Sequence, residues 1–164
     1  MEEYCAGLLE TMEKQLAVYE KLLSLATEKQ PVLIKGNISE LDRITKEEEL
    51  LILQVGRLEE QRNVLHQRLA NHFGLSPEEL SLSELAKRTG EDIGENFQKL
   101  LQKMAEVLGN LADFNKNNTE LIKSSLDFIN YSLNILTSSD TKPGYAESDD
   151  GRKDVSAKIF DRKI

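Results

Sequence analysis

ISELDRITKEEELLILQVGRLEEQRNVLHQRLANHF, residues 38–73, decides how the rest of the chain is read. Leu41, Ile44, Leu51, Val55, Leu58, Leu65 and Leu69 fall on one seam, with Glu48 and Arg62 in the two vacant seam positions. Steps of three and four sustained over this length predict coiled-coil-like packing. At ~1.5 Å per residue such a helix is roughly 50 Å long. A lone helix of that amphipathicity is not stable in water, so it needs partner helices.

The flanking sequence supplies them. Residues 3–35 place Leu8, Met12, Leu16, Tyr19, Leu23, Ala26 and Leu33 on one helical face. Pro31 removes a backbone donor and crowds the carbonyl four residues back, which predicts a kink or break near Thr27–Pro31. Gly36-Asn37 then ends the first helix, and Asn37 with Glu40 reads as a capping box for the second. Gly74 stops the second helix. Ser76-Pro77-Glu78-Glu79 and Ser81-Leu82-Ser83-Glu84 are two successive capping patterns, the latter opening a short helix that ends near Arg88. A third long helix is expected from about Asp92 to Leu136, with Ile93, Phe97, Leu100, Met104, Leu108, Leu111, Phe114, Leu121, Ile122, Ile129 and Leu136 on its apolar face. No stretch alternates with a strand period. The expected fold is all-α: three long helices in an antiparallel coiled-coil-like bundle, the second and third antiparallel, with a short connecting helix. The bundle domain is expected over residues 1–138. SSDTKPGYAESDDGRKD is rich in Ser, Asp, Gly and Pro, so residues 139–164 are expected to form a mostly irregular tail.

Composition excludes several functions. The formal charge of −8 argues against nucleic-acid binding, which needs clustered Lys and Arg. The charge is uneven: residues 1–139 hold 23 acids and 15 bases, while residues 152–164 carry five bases against two acids. The chain ends in KIFDRKI, an apolar and basic motif on an acidic protein. Cys5 is alone and is expected as an exposed thiol, so a disulfide framework is out and a reducing cytosol is the default. Met-Glu-Glu is the wrong charge for a signal n-region, and LLIL at 50–53 is too short to span a membrane. A carboxylate-bridged metal pair would need Glu-x-x-His, but Asn63 precedes His66 and Leu69 precedes His72 at that spacing. Both histidines read as solvated surface. With one Cys and two His there is no zinc cluster, and there is no phosphate loop or nucleophile elbow. No enzyme, cofactor or metal site is expected.

Two features of the third helix exceed what a bundle requires. Asn115, Asn117 and Asn118 sit in its middle, as register-fixing polar groups at a helix interface or as a polar element of a partner site. On a wheel of about 100° per residue, the apolar side chains of residues 121–136 cover roughly 220°, against about 160° for residues 100–112. Lys123, Asp127, Asn130 and Asn134 form only a narrow polar strip. The excess needs a cover: a second copy of the chain, the chain's own tail, or another protein's amphipathic helix.

Four stretches together resemble the FlgN family of flagellar export chaperones. PVLIKGNISELDRI is similar to its first hairpin, and EEELLILQVGRLEEQR to its second-helix signature. LSLSELA resembles its connecting helix, and NKNNTELIKSSLDFINYSLNIL its Asn-x-x-Asn-x-x-Leu-Ile segment. Tyr145 ahead of Gly151, and the KIFDRKI terminus, resemble the family's tail. The resemblance implies a cytosolic, non-enzymatic chaperone that holds the hook-associated proteins FlgK and FlgL through their C-terminal helical segments. It would prevent their premature assembly and present them to the flagellar type III export gate. In the family the C-terminal region is associated with substrate. Carried over, this implies partner contacts at Leu121, Ile122, Phe128, Ile129, Leu133 and Leu136, and in the tail at Ile159, Phe160 and Arg162. Tyr145 is the implied contact with the export gate. The alternative is a structural coiled-coil adaptor that self-associates, as a homodimer, through the same apolar face.

Overall fold

The computed structural model describes residues 1–138. Four helices follow in order: α1 Glu2–Lys35, α2 Ile38–His72, α3 Leu82–Arg88 and α4 Glu91–Ser138. There is no strand among the described residues.

Each corner is closed by the same local chemistry. Gly36 adopts φ 65° at the end of α1; its N–H bonds the Leu33 carbonyl (3.2 Å) and the Asn37 N–H bonds that of Val32 (3.1 Å). Gly74, at φ 68°, repeats the arrangement after α2, with Gly74 N–H on Asn71 and Leu75 N–H on Ala70. In both Schellman turns a left-handed glycine satisfies carbonyls that the helix end would orphan. The Asn37 side chain then accepts from Glu40 N–H (3.2 Å) and starts α2. The return half of the expected box is absent, because the Glu40 carboxylate binds Arg43 instead (2.9 Å). Ser76 begins a single capped turn, in which its N–H donates to the Glu79 carboxylate (2.8 Å) and holds that group below the usual carboxylate range. The Ser81 hydroxyl accepts from Glu84 N–H (3.0 Å) and opens α3.

Pro31 does not break α1, contrary to the expectation. It lies in the helix's last turns, so a single backbone bond is lost. That bond would have ended on the Thr27 carbonyl, and both Thr27 and Pro31 are solvent-exposed, where water can replace it.

Residues Met1–Phe128 form one compact unit. Its main core joins Cys5, Leu8, Met12 and Leu16 of α1 to Leu69 and Ala70 of α2, Leu80, Leu85 and Ala86 around α3, and Phe97, Leu100 and Met104 of α4. A second cluster joins Val18 and Leu22 to Leu58, with Leu51, Val55 and Leu111 packed against it. Moving up α1 and α4 therefore means moving down α2, which makes α2 antiparallel to both. Asn118 fixes this register: it is buried, and its side-chain amide donates to the Ala26 carbonyl of α1 (2.8 Å). Asn115 and Asn117 are exposed.

The α1 seam differs from the expected one. Cys5, Leu8, Met12, Gln15, Tyr19, Leu22 and Ala26 alternate three and four apart, and all but half-buried Tyr19 are buried. Cys5 is thus buried rather than an exposed thiol, and burial pushes its pKa up. On α4, Val107 packs against the core where Leu108 was expected, and Leu108 is exposed. His66 is half-buried rather than solvated, and its Nε2 meets the Leu80 carbonyl, tying the α2–α3 connection to α2. His72 is exposed and stands edge-on to Phe73, with ring centroids 5.7 Å apart. Of the two vacant α2 seam positions, Glu48 pairs with Lys29 of α1, and both side chains are largely buried. Arg62 pairs with Glu59 on its own helix (3.2 Å).

Candidate protein-interaction surface

The surface begins where α4 stops burying its apolar side chains. Phe97, Leu100 and Met104 are buried, Leu111, Phe114 and Leu121 are half-buried, and the following large apolar residues are exposed. Phe128 keeps 70% of its accessible surface, Tyr131 64%, Leu133 52% and Leu136 67%. Ile122, Leu126, Ile129 and Ile135 are also exposed. Isolated apolar residues on a surface need no explanation, but a run of eight over four turns does.

The helix holds this face without help from charge. Ser125 donates to the Leu121 carbonyl (3.0 Å) and Thr137 to that of Leu133 (2.9 Å), so these hydroxyls are turned onto the backbone. From Phe128 to Ser138 there is no ionisable side chain except Tyr131, in a chain that is 30% charged. Such a stretch can exclude water over a broad area without burying a charge.

Of the residues expected at the site, Ile122, Phe128, Ile129, Leu133 and Leu136 are exposed and Leu121 is half-buried. All six share α4. Tyr145, Ile159, Phe160 and Arg162 lie outside the described residues. Leu126, Tyr131 and Ile135 belong to the same exposed stretch and were already legible in its 220° arc.

A second exposed set lies on α2, where Leu50, Ile52 and Leu53 point outward while Leu51 packs inward. Beside it, Lys21, Ser24, Leu25, Glu47, Leu50 and Leu51 line an open cleft of about 350 Å³. Leu50, Ile52 and Leu53 stand off the three- and four-residue steps of the α2 seam, so that seam carries no signal for them. Among the described residues, no group of three or more His, Cys, Asp and Glu is placed to hold a metal ion, and no helix is long and apolar enough to cross a membrane.

The described residues thus form an all-helical bundle whose last helix displays a wide, exposed apolar face. The FlgN protein family model matches residues 1–150, and the chain belongs to this family of flagellar export chaperones. It is also 27% identical over 159 residues to the protein from Bacillus subtilis (strain 168) named "Uncharacterized protein YvyG", covering 96% of this chain and 97% of that one. No solved structure matches.

Proposed function

We propose that this protein is a cytoplasmic export chaperone that holds FlgK and FlgL on the α4 face from Leu121 to Leu136, keeps them from assembling early, and passes them to the flagellar export gate. The observation that carries the reading is the exposed apolar face itself, on a member of the FlgN family. A chaperone of this kind blocks assembly by occupying the apolar face that its client would use for polymerisation. Release is built in, because each buried side chain contributes only about 1.5–3 kcal/mol and ordering the client offsets part of that. The tail, residues 139–164, is assigned a supporting role: Ile159, Phe160 and Arg162 add to the client contact, and Tyr145 meets the export gate. The protein binds its client and carries out no reaction on it.

The test is Leu133→Asp with Leu136→Asp. Both side chains are exposed, so the double variant should fold with unchanged helicity. Its affinity for FlgK and FlgL, measured by titration calorimetry, should fall by at least about 100-fold. Parent-like binding by the folded variant would place the client elsewhere. Loss of self-association, with client binding intact, would make the face a dimer interface of a structural adaptor.

A further inference from the structure

The exposed face is two ridges, not one. Ile122, Leu126, Ile129, Leu133 and Leu136 follow one another at steps of four, three, four and three. Leu121, Phe128 and Ile135 form a second line at steps of seven, with Ser124 and Tyr131 in the intervening places. At about 100° per residue the two lines stand roughly 140° apart around the helix. Between them run Ser125 and Ser132, seven apart. The polar strip of Lys123, Asp127, Asn130 and Asn134 occupies the opposite side.

The second ridge has a recognisable origin. From Phe97 through Leu100, Met104, Val107, Leu111 and Phe114 to Asn118, α4 packs along a line at three- and four-residue steps. The same spacing continues through Leu121, Ser125, Phe128, Ser132 and Ile135. The apolar members of the second ridge therefore stand on the continuation of the seam that α4 uses within its own bundle, and Ser125 and Ser132 border them on the side of the first ridge. The Ile122–Leu136 ridge is additional. Each has the heptad spacing that fits one partner helix, knob into hole. A single helix covers a stripe of roughly 100° and cannot reach both.

We infer that α4 accepts two amphipathic helices at once, one on each ridge, both supplied by the client. The inference rests on the chaperone reading of this same face. The helices it fits carry an apolar stripe bordered by uncharged polar residues, because from Phe128 onward neither ridge offers a charge to pair with. A second copy of this chain is the poorer occupant. A two-fold contact sets one ridge against itself and leaves the other uncovered, and the other exposed apolar set, Leu50, Ile52 and Leu53, is bordered by Glu47, Glu49 and Arg57.

The experiment compares two variants of the full chain against two probes. Leu133→Asp with Leu136→Asp disables the first ridge, and Phe128→Ser with Tyr131→Ser the second. The probes are full-length FlgK and a synthetic peptide of its C-terminal helical segment. Circular dichroism checks folding; the serine pair, small and uncharged, is tolerated on an exposed helix surface. Full-length FlgK should lose at least about 100-fold in affinity to the first variant and at least about tenfold to the second, whereas the peptide should lose affinity to one variant only. FlgK binding that depends on a single ridge would overturn the two-helix inference and leave the chaperone site standing. So would a free protein that sediments as a dimer, becomes a monomer in one ridge variant, and binds FlgK with unchanged affinity there. FlgK binding indifferent to both variants would remove the site itself.

Discussion

Gly94 has no room for a side chain: a Cβ there would stand 2.3 Å from the Ala86 carbonyl oxygen. The close approach of α3 to the start of α4 depends on that missing atom. Gly94→Ala should therefore cost about 1–3 kcal/mol in urea denaturation, since a backbone carbonyl cannot step aside as a flexible side chain can. Gly56, inside α2, is the counterexample, because nothing lies within 4 Å of its added Cβ. Gly56→Ala should stabilise by roughly 0.5–1 kcal/mol, through helix propensity alone. Gln15 is fully buried with both amide atoms unpaired. Gln15→Leu should raise stability by about 1–3 kcal/mol, because apolar replacement removes the desolvation penalty. A lower melting temperature would mean that the amide is satisfied after all. For Cys5, burial disfavours the thiolate, so iodoacetamide should modify it slowly in the native protein and quickly in denaturant.

Helix pairing is fixed by a few polar contacts between elements. Lys29 on α1 and Glu48 on α2 pair where both side chains are only 15% exposed. Lys29→Met alone should cost about 2–4 kcal/mol by stranding the carboxylate, and adding Glu48→Leu should recover most of it. Arg43 also bridges to α1, through Glu28, but it is largely solvated and shared with Glu40 and Glu47, so its removal should cost far less than breaking the Lys29–Glu48 pair. At this scale the sequence was most readable. Its punctuation, Gly36-Asn37, Gly74 and Ser81, sits where the helices end because those residues satisfy orphan backbone groups locally. The α1 seam was misread for a physical reason. Gln15 fills a core position that its polarity argues against, and Leu22 is buried where Leu23, only half-buried, is expected. Pro31 misled because its effect depends on exposure at the helix end, which local sequence does not encode. His66 gave no signal, since its partner is a carbonyl fourteen residues away.

Along the whole chain, charge is interrupted once over a long exposed apolar stretch. Charged side chains occur throughout residues 1–127 and again in 139–164, while α4 from Phe128 to Ser138 carries none at neutral pH. Client affinity should therefore change little between low and high salt, whereas a salt-steepened loss would point to contacts on the acidic bundle or the basic tail. That α4 would outgrow its packing was legible as an arc too broad for a bundle. Which partner covers it was not, because width alone is common to dimers, docked tails and client grooves. The contribution of Tyr145, Ile159, Phe160 and Arg162 falls outside the described residues and is carried only by the proposal. Amide hydrogen exchange of the full chain, with and without FlgK, shows whether a hook-associated client lies on α4 between Leu121 and Leu136. Exchange should slow over residues 121–137, while the α2 segment around Leu50–Leu53 is unchanged. Protection confined to α2 or to the bundle, with α4 exchanging as it does in the free protein, would contradict that placement.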